Sequence, residues 1–471
     1  MPEPRVAQLR RQSTHPAAVP AQPAPLYATL LAWTLERLQG HGFARPVCKR
    51  VALLLVGLVG GERATPAGVA TAVHGLAVTA ATEESIARRL ARVFGDARLD
   101  PARLLPALFT DLLPVLLRGL VAAHRANERA GAFHHRRFLP LRLVIDESSV
   151  EDRVHILAIG LAYQGLVLPL GVRCWPQNVA LPEGEYWTQV GGLLWEVQAL
   201  LPPELRDHVL LLADRAYGVP RMIDLCRSLG WAWLLRIQRE ARVRLADGSE
   251  VPARQLAPRP GTVWLGPAPG SPDEPLGPTE QDEAVGVFKA AGWRQCRLAA
   301  AWAVGQAEPW LLVTSLTNGV QRLRTYAERW AIERLFLAWK SHGWDLEGGG
   351  LRDPARLGRL LAGLAAATLW RVAVALPVAT GQLEVLAARA GTRPLAPRQL
   401  PLPWDPAPPD DLVLPAGTRP WAAKFSLLTW GAKVLARVDL RTSTPALLWE
   451  LPAWAAPTWS QQCRRAAHAL A

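Results

Sequence analysis

The chain has 471 residues, half of them hydrophobic and a fifth charged, with 53 Lys and Arg against 40 Asp and Glu. At about 150 residues per domain there is room for about three domains, and so apolar a composition excludes a disordered protein. The net charge of +13 says little about fold but favours a polyanionic partner, nucleic acid or an anionic membrane surface.

Cys48, Cys174, Cys226, Cys296 and Cys463 stand far apart, without a C-x-x-C pair. That spacing excludes a disulfide framework and a cysteine-based zinc module, and it fits a reducing cytoplasm. No basic-then-apolar leader is read at the start. The most apolar windows, 51–61 and 360–370, fall well short of the roughly 20 residues that cross a bilayer. No membrane partner is expected, and nucleic acid moves ahead.

Residues 1–25, rich in Pro, Ala and Arg, read as a flexible basic tail. Residues 26–135 read as a helical DNA-binding domain: Leu31, Leu35 and Leu38 share a helix face, 51–59 is a buried run, and Ile86, Leu90 and Val93 recur at helical spacing. Arg88, Arg89 and Arg92 give the last of these helices a basic side. That side fits an element entering a DNA groove, and it fits equally a helical bundle with a solvated charged face.

From residue 140 the pattern changes to short apolar runs at 141–145, 154–161 and 166–172, the last two joined by a turn at Tyr163-Gln164-Gly165. A helix at 187–200, a strand at 209–213, a helix at 220–229 and a strand at 231–237 follow, the grammar of a mixed α/β sheet. Residues 240–315 read as a β-rich insertion, with a hairpin turn at Asp247-Gly248 and a Pro/Gly-rich loop at 258–278. Helices are predicted at 321–343 and 355–376. Residues 377–471 read as a Pro-rich linker and a basic, tryptophan-bearing C-terminal region.

Asp146 and Asp214 each close a strongly apolar strand. A carboxylate there is costly without a positive partner, and ligands of open α/β sheets bind at the carboxyl ends of strands. Two such aspartates suit a shared hard cation; they suit helix caps or turns as well. The 321–343 helix adds Tyr326, Arg329, Glu333 and Lys340, which fall in a stripe about 60° wide at about 100° per residue. The glutamate is a third candidate metal ligand, and the two cations suit phosphates. A solvated face with an Arg329–Glu333 ion pair is the plainer alternative, but Trp330, Ile332, Leu337 and Trp339 need burial. Glu147 and Glu328 point elsewhere on their strand and helix and are poorer ligands.

Tyr326-x2-Arg329-x3-Glu333-x6-Lys340, standing as YAERWAIERLFLAWK, resembles the signature of bacterial insertion-sequence DDE transposases of the IS-four group. VIDESS at Asp146, LADRAYG at Asp214, LLRIQ at Arg236 and PWLLVTSL at Trp310 extend the resemblance over roughly residues 140–375. It implies an RNase H-like core at 140–239 and 316–376, the β-rich insertion between its halves, and the helical domain in front. It further implies that Asp146, Asp214 and Glu333 are a catalytic triad binding two Mg²⁺ or Mn²⁺ ions. Tyr326, Arg329 and Lys340 would hold transposon-end phosphates, Trp310 would stack on a flipped base, and Arg215 and Arg236 would add DNA contacts. The implied activity is metal-dependent DNA end cleavage and strand transfer in cut-and-paste transposition, on double-stranded DNA, by a homodimer in the cytoplasm at the bacterial nucleoid. Hairpin-forming relatives carry a glutamate two positions after the second aspartate, where this chain has Ala216. Two other readings share these residues: a cleavage-inactive transposase-derived DNA-binding protein, and a different metal-dependent nuclease of the same fold.

Overall fold

The computed structural model describes residues 25–109, 113, 117, 141–163, 166–265, 285–316 and 319–379. The tail at 1–24, most of 110–140, the turn residues 164–165, most of the Pro/Gly-rich loop and residues 380–471 lie outside the described residues.

Five helices come first: α1 (Pro25–Gly40), α2 (Arg45–Gly60), α3 (Pro66–Gly75), α4 (Glu83–Gly95) and α5 (Pro101–Phe109). Thr65 and Thr82 start α3 and α4 by accepting the backbone N–H groups of Gly68 (2.9 Å) and Ser85 (3.4 Å). On α4, Ile86, Leu90, Val93 and Phe94 are buried while Arg88, Arg89 and Arg92 are exposed. The buried stripe of α1 is Leu30, Trp33 and Leu38, with Leu31 and Leu35 only half-buried. It is rotated from the leucine face expected because Trp33 packs edge-on to Trp370 at 5.2 Å.

The sheet is built from β1 (Leu141–Val150), β2 (Val154–Tyr163), β3 (Leu166–Pro176), β4 (Val209–Ala213), β5 (Ala232–Arg236), β6 (Arg242–Arg244), β7 (Glu250–Pro252), β8 (Val263–Trp264), β9 (Val285–Val287), β10 (Arg294–Ala301) and β11 (Trp310–Thr314). Helix α6 (Glu185–Leu200) precedes β4, and α7 (Pro220–Ser228) links β4 to β5. The strand order is β3-β2-β1-β4-β5-β11-β10-β9-β6-β7, with β8 on β10. β1, β4 and β5 run parallel, and every other pair is antiparallel. The parallel strands read Leu-Val-Ile, Val-Leu-Leu-Leu and Trp-Leu-Leu because they are covered on both faces. The insertion extends this sheet: β11 pairs with β5 through Leu312↔Arg236, and β10 pairs with β11. β8 and β9, too short for any periodicity to mark, join it through β10.

After the sheet come α8 (Gly319–Ala327), a single 3₁₀ turn at Glu328–Trp330, α9 (Ala331–Leu337), a π turn at Ala338–His342 and α10 (Pro354–Ala379). Sequence periodicity reads 321–343 as one uniform helix; the structure breaks its winding at Arg329 and again at Lys340.

α10 is apolar almost all round because it lies between two layers, packing on β3 and on α2, α4 and α5. The N-terminal helices therefore share one continuous hydrophobic core with the sheet. Two arginines of α10 fix that contact. Arg359 donates to the carbonyls of Leu99 (2.9 Å) and Phe94 (2.6 Å) beyond and at the end of α4. Arg371, 2 % exposed, donates to Val59 and Leu58 (3.1 Å each) and to Gly61 at the end of α2, and its guanidinium lies 4.1 Å from the centre of the Trp344 ring. These carbonyls have no helical partner of their own. Arg371→Ala is expected to lower unfolding free energy by about 3 kcal/mol by taking the buried donor from the Val59 and Gly61 carbonyls, whereas Leu58 keeps the Trp344 indole N–H (2.8 Å). Arg371→Lys is expected to recover less than half, since an ammonium cannot reproduce the fork. Urea unfolding of the three proteins checks this; equal midpoints would refute it.

Candidate active site

The register Ile145↔Ala213 on parallel β1 and β4 puts Asp146 and Asp214 next to each other in the two strand directions, at the carboxyl end of β4. Asp146 accepts the backbone N–H of Glu147 (2.9 Å) and a guanidinium N–H of Arg329 (2.8 Å). Asp214 accepts the backbone N–H of Arg215 (2.6 Å) and lies 4.0 Å from Arg236. Glu333 accepts the other terminal nitrogen of Arg329 (3.2 Å). β1 runs on to Val150 through its pairing with β2, so Asp146 lies within the strand and does not close it as expected. One buried guanidinium, 5 % exposed, ties this mid-strand aspartate to a helix glutamate, with Asp214 inside the same field.

The electrostatics follow from that placement. Burial, above all, pushes Asp146 from its ordinary 3.8 up to about 6; Arg329 and the Glu147 N–H oppose the rise, and Asp214 and Glu333 add to it by repulsion. Burial disfavours the charge on Arg329, and its acidic surroundings more than restore it.

Two donors of this site are unmatched. The Nε of Arg329 and the hydroxyl of Tyr326 are buried without a hydrogen-bond partner among the described residues. Tyr326 is 1 % exposed, edge-on to Trp310 at 5.0 Å, and its ring centre is 5.9 Å from the Arg329 guanidinium carbon. Burial raises its hydroxyl pKa further above the ordinary value. Tyr326 and Arg329 were expected on an open stripe facing phosphates; here they sit inward, Arg329 engaged by carboxylates. Lys340 ends elsewhere, paired with Glu347 at 3.0 Å. A π turn advances each residue through a smaller angle than an α turn, so Lys340 leaves the line that a straight helix would draw.

Sequence reasoning missed two supports. Glu308 lies 3.0 Å from Arg215 and 2.9 Å from Arg236, whose guanidinium also donates to the Pro309 carbonyl at 3.2 Å. Its nearness to Trp310 in the motif was the only hint. On the other face of β1, as its alternation with Asp146 requires, Glu147 accepts the hydroxyls of Tyr186 and Tyr217 (2.6 Å) and contacts His155 Nε2 (2.8 Å). Burial raises the Glu147 pKa, but these hydrogen bonds outweigh it and hold the carboxyl below its ordinary value. Tyr217 follows Asp214 by three residues, so Glu147 braces the loop that carries the second aspartate. Glu328 is likewise occupied, by Arg142. Gly218 closes the loop: a Cβ there would lie 1.9 Å from the Arg236 carbonyl oxygen.

Among the described residues, no three His, Cys, Asp or Glu side chains are gathered closely enough to hold a metal ion. Three carboxylates from separate elements are nevertheless the hard oxygen set that suits Mg²⁺ or Mn²⁺. The positive charge they share is that of Arg329.

Residues 193–370 match a family model described as Transposase DDE domain. The matched stretch runs from within α6 into α10, taking in Asp214, Trp310, Arg329, Glu333 and Lys340 and stopping short of Asp146. It supports a transposase in general terms. No curated protein matches the chain. No helix among the described residues is long and apolar enough to cross a membrane.

Carboxyl-carbon NMR of aspartate-labelled protein is expected to show Asp146 titrating at about 6; a midpoint below about 4 would refute its placement. The folded protein then holds a proton that the unfolded chain has released, so Asp146 subtracts from stability as pH rises from 3.8 to about 6. Gly218→Ala is expected to cost about 2 kcal/mol or more, because only backbone movement can relieve the clash; an unchanged denaturation midpoint would show the loop to be pliable.

Proposed function

We propose that the protein is a DDE transposase of the insertion-sequence type, cleaving DNA ends and transferring the freed strand to target DNA. The observation that carries the proposal is that one guanidinium, Arg329, is bonded to Asp146 and Glu333, remote in sequence, with Asp214 at the neighbouring position across β1 and β4. The match over residues 193–370 and the order β3-β2-β1-β4-β5, with β2 antiparallel, support an RNase H-like core carrying that site.

On this reading Asp146, Asp214 and Glu333 would hold two divalent ions. Bound there, such ions would make a water or a DNA 3′-hydroxyl more acidic and stabilise the leaving oxygen. The chain's own residues do the remainder. Arg236, held beside Asp214, and Arg215, its partner across Glu308, place positive charge next to the cut, where it favours the phosphate backbone. Trp310 offers a ring face to an unstacked base, backed by Tyr326. Glu147 and Tyr217 keep the Asp214 loop in register. The exposed arginines of α4 add salt-dependent affinity for duplex DNA, and the functional unit is a homodimer bridging two ends.

Asp214→Asn is expected to retain binding to duplexes taken from the DNA flanking the gene while losing Mg²⁺-dependent cleavage by at least about a thousandfold, the scale of a lost catalytic group. Cleavage at the wild-type rate would refute the assignment. Trp310→Ala is expected to slow second-strand processing more than the first nick; equal slowing of both steps would remove the stacking role.

A further inference from the structure

The buried arginine at the centre of the site raises a question that the proposed chemistry leaves open. Arg329 is bonded to Asp146 and Glu333 and shares the field of Asp214, so it spends its charge on the same oxygens that divalent ions would require. The carboxylates, held this way, are not gathered as a metal cluster among the described residues. Removing the guanidinium would strip Asp146 and Glu333 of the counter-charge bonded to both, while Asp214 keeps Arg236 at 4.0 Å; for the largely buried Asp146 that loss is unfavourable. The cation therefore leaves only if another cation arrives and if its own donors find new acceptors.

The unmatched atoms indicate where those acceptors come from. Arg329 Nε and the Tyr326 hydroxyl are both donors, both buried and both without a partner among the described residues. Two orphan donors on neighbouring side chains, whose guanidinium carbon and ring centre are 5.9 Å apart, fit an oxygen-rich anion, and a phosphodiester presents such oxygens to a guanidinium in a fork. The surroundings suit a shift. Arg329 lies on the single 3₁₀ turn between α8 and α9, a winding that is often found at hinges.

We propose that Arg329 is an exchangeable internal counter-ion: without DNA it neutralises Asp146 and Glu333, and with DNA it moves to a backbone phosphate and frees those carboxylates for divalent ions. This inference rests on the transposase reading and adds a control to it. Metal uptake and DNA binding become mutually reinforcing, by the same factor in each direction. A protein so built stays unloaded, and unable to nick, until an end is seated.

The test is the binding of Mn²⁺ alone, followed by the electron paramagnetic resonance of the free ion, with and without a duplex carrying one flanking end. Wild-type protein is expected to bind Mn²⁺ about 5–150-fold more tightly when the duplex is present, the usual range of coupling. Arg329→Gln is expected to bind Mn²⁺ at least about tenfold more tightly than wild type without DNA, and to lose most of the DNA effect. Equal affinity of the wild-type protein with and without DNA would overturn the proposal, and so would weaker Mn²⁺ binding by Arg329→Gln. The wild-type comparison needs no variant to fold. Asp146→Asn separates the two levels of the account. If it leaves Mn²⁺ binding unchanged, the metal reading of the triad fails; if it abolishes binding while Arg329→Gln has no effect, only the exchange fails.

Discussion

A buried guanidinium bonded to two carboxylates, with a third in its field, is the interaction on which the rest of the site depends. Burial at 5 % exposure works against the charge on Arg329 and the acids around it favour that charge, as Arg329 in turn favours the charge on Asp146. Each side makes the other tolerable. The sheet supplies the first two acids because β1 and β4 run parallel and in register, so that Asp146 and Asp214 fall at neighbouring positions. The helical segment after β11 supplies the glutamate and the arginine together, four residues apart on adjoining turns. Two further contacts hold the carriers in place: Glu147 on the Tyr217 hydroxyl behind Asp214, and the ion pairs of Glu308 with Arg215 and Arg236 beside it.

The wider fold serves this arrangement by leaving little room for it to drift. The insertion adds strands to the edge of β5, so Trp310 and Glu308 are carried on the same sheet as Asp214 and Arg236. α10 locks the N-terminal helices to the other side, through two arginines that end α2 and α4. The exposed arginines of α4 are thereby fixed relative to the carboxylates, not swinging on a tether.

The parts most legible in the sequence are those governed by local periodicity. Val209–Ala213 is found at its expected bounds because it is a short apolar run between unambiguous breakers. The side on which Glu147 lies follows from strand alternation. Asp214 was readable because it follows the five apolar residues Val209–Ala213, and Asp146 because it follows the apolar run Leu143–Ile145, although its strand continues to Val150. Less was legible wherever long-range pairing decides. That the insertion joins the main sheet is a matter of β11 meeting β5, which no local pattern encodes. The inward turn of Tyr326 and Arg329, and the departure of Lys340 toward Glu347, depend on a 3₁₀ turn and a π turn that a uniform 100° spacing cannot represent. Glu308 was invisible because a lone glutamate in a loop carries no signature until its two arginines are in place.

The central claim is that these three acidic side chains are the seat of metal-assisted phosphoryl transfer. Anomalous X-ray scattering from crystals of the protein bound to one flanking DNA end and grown with Mn²⁺ tests it most directly. The account predicts manganese peaks bounded by Asp146, Asp214 and Glu333, with the Arg329 guanidinium withdrawn onto a DNA phosphate. Manganese bound elsewhere, or none while Arg329 still bridges Asp146 and Glu333 beneath a seated duplex, would contradict it.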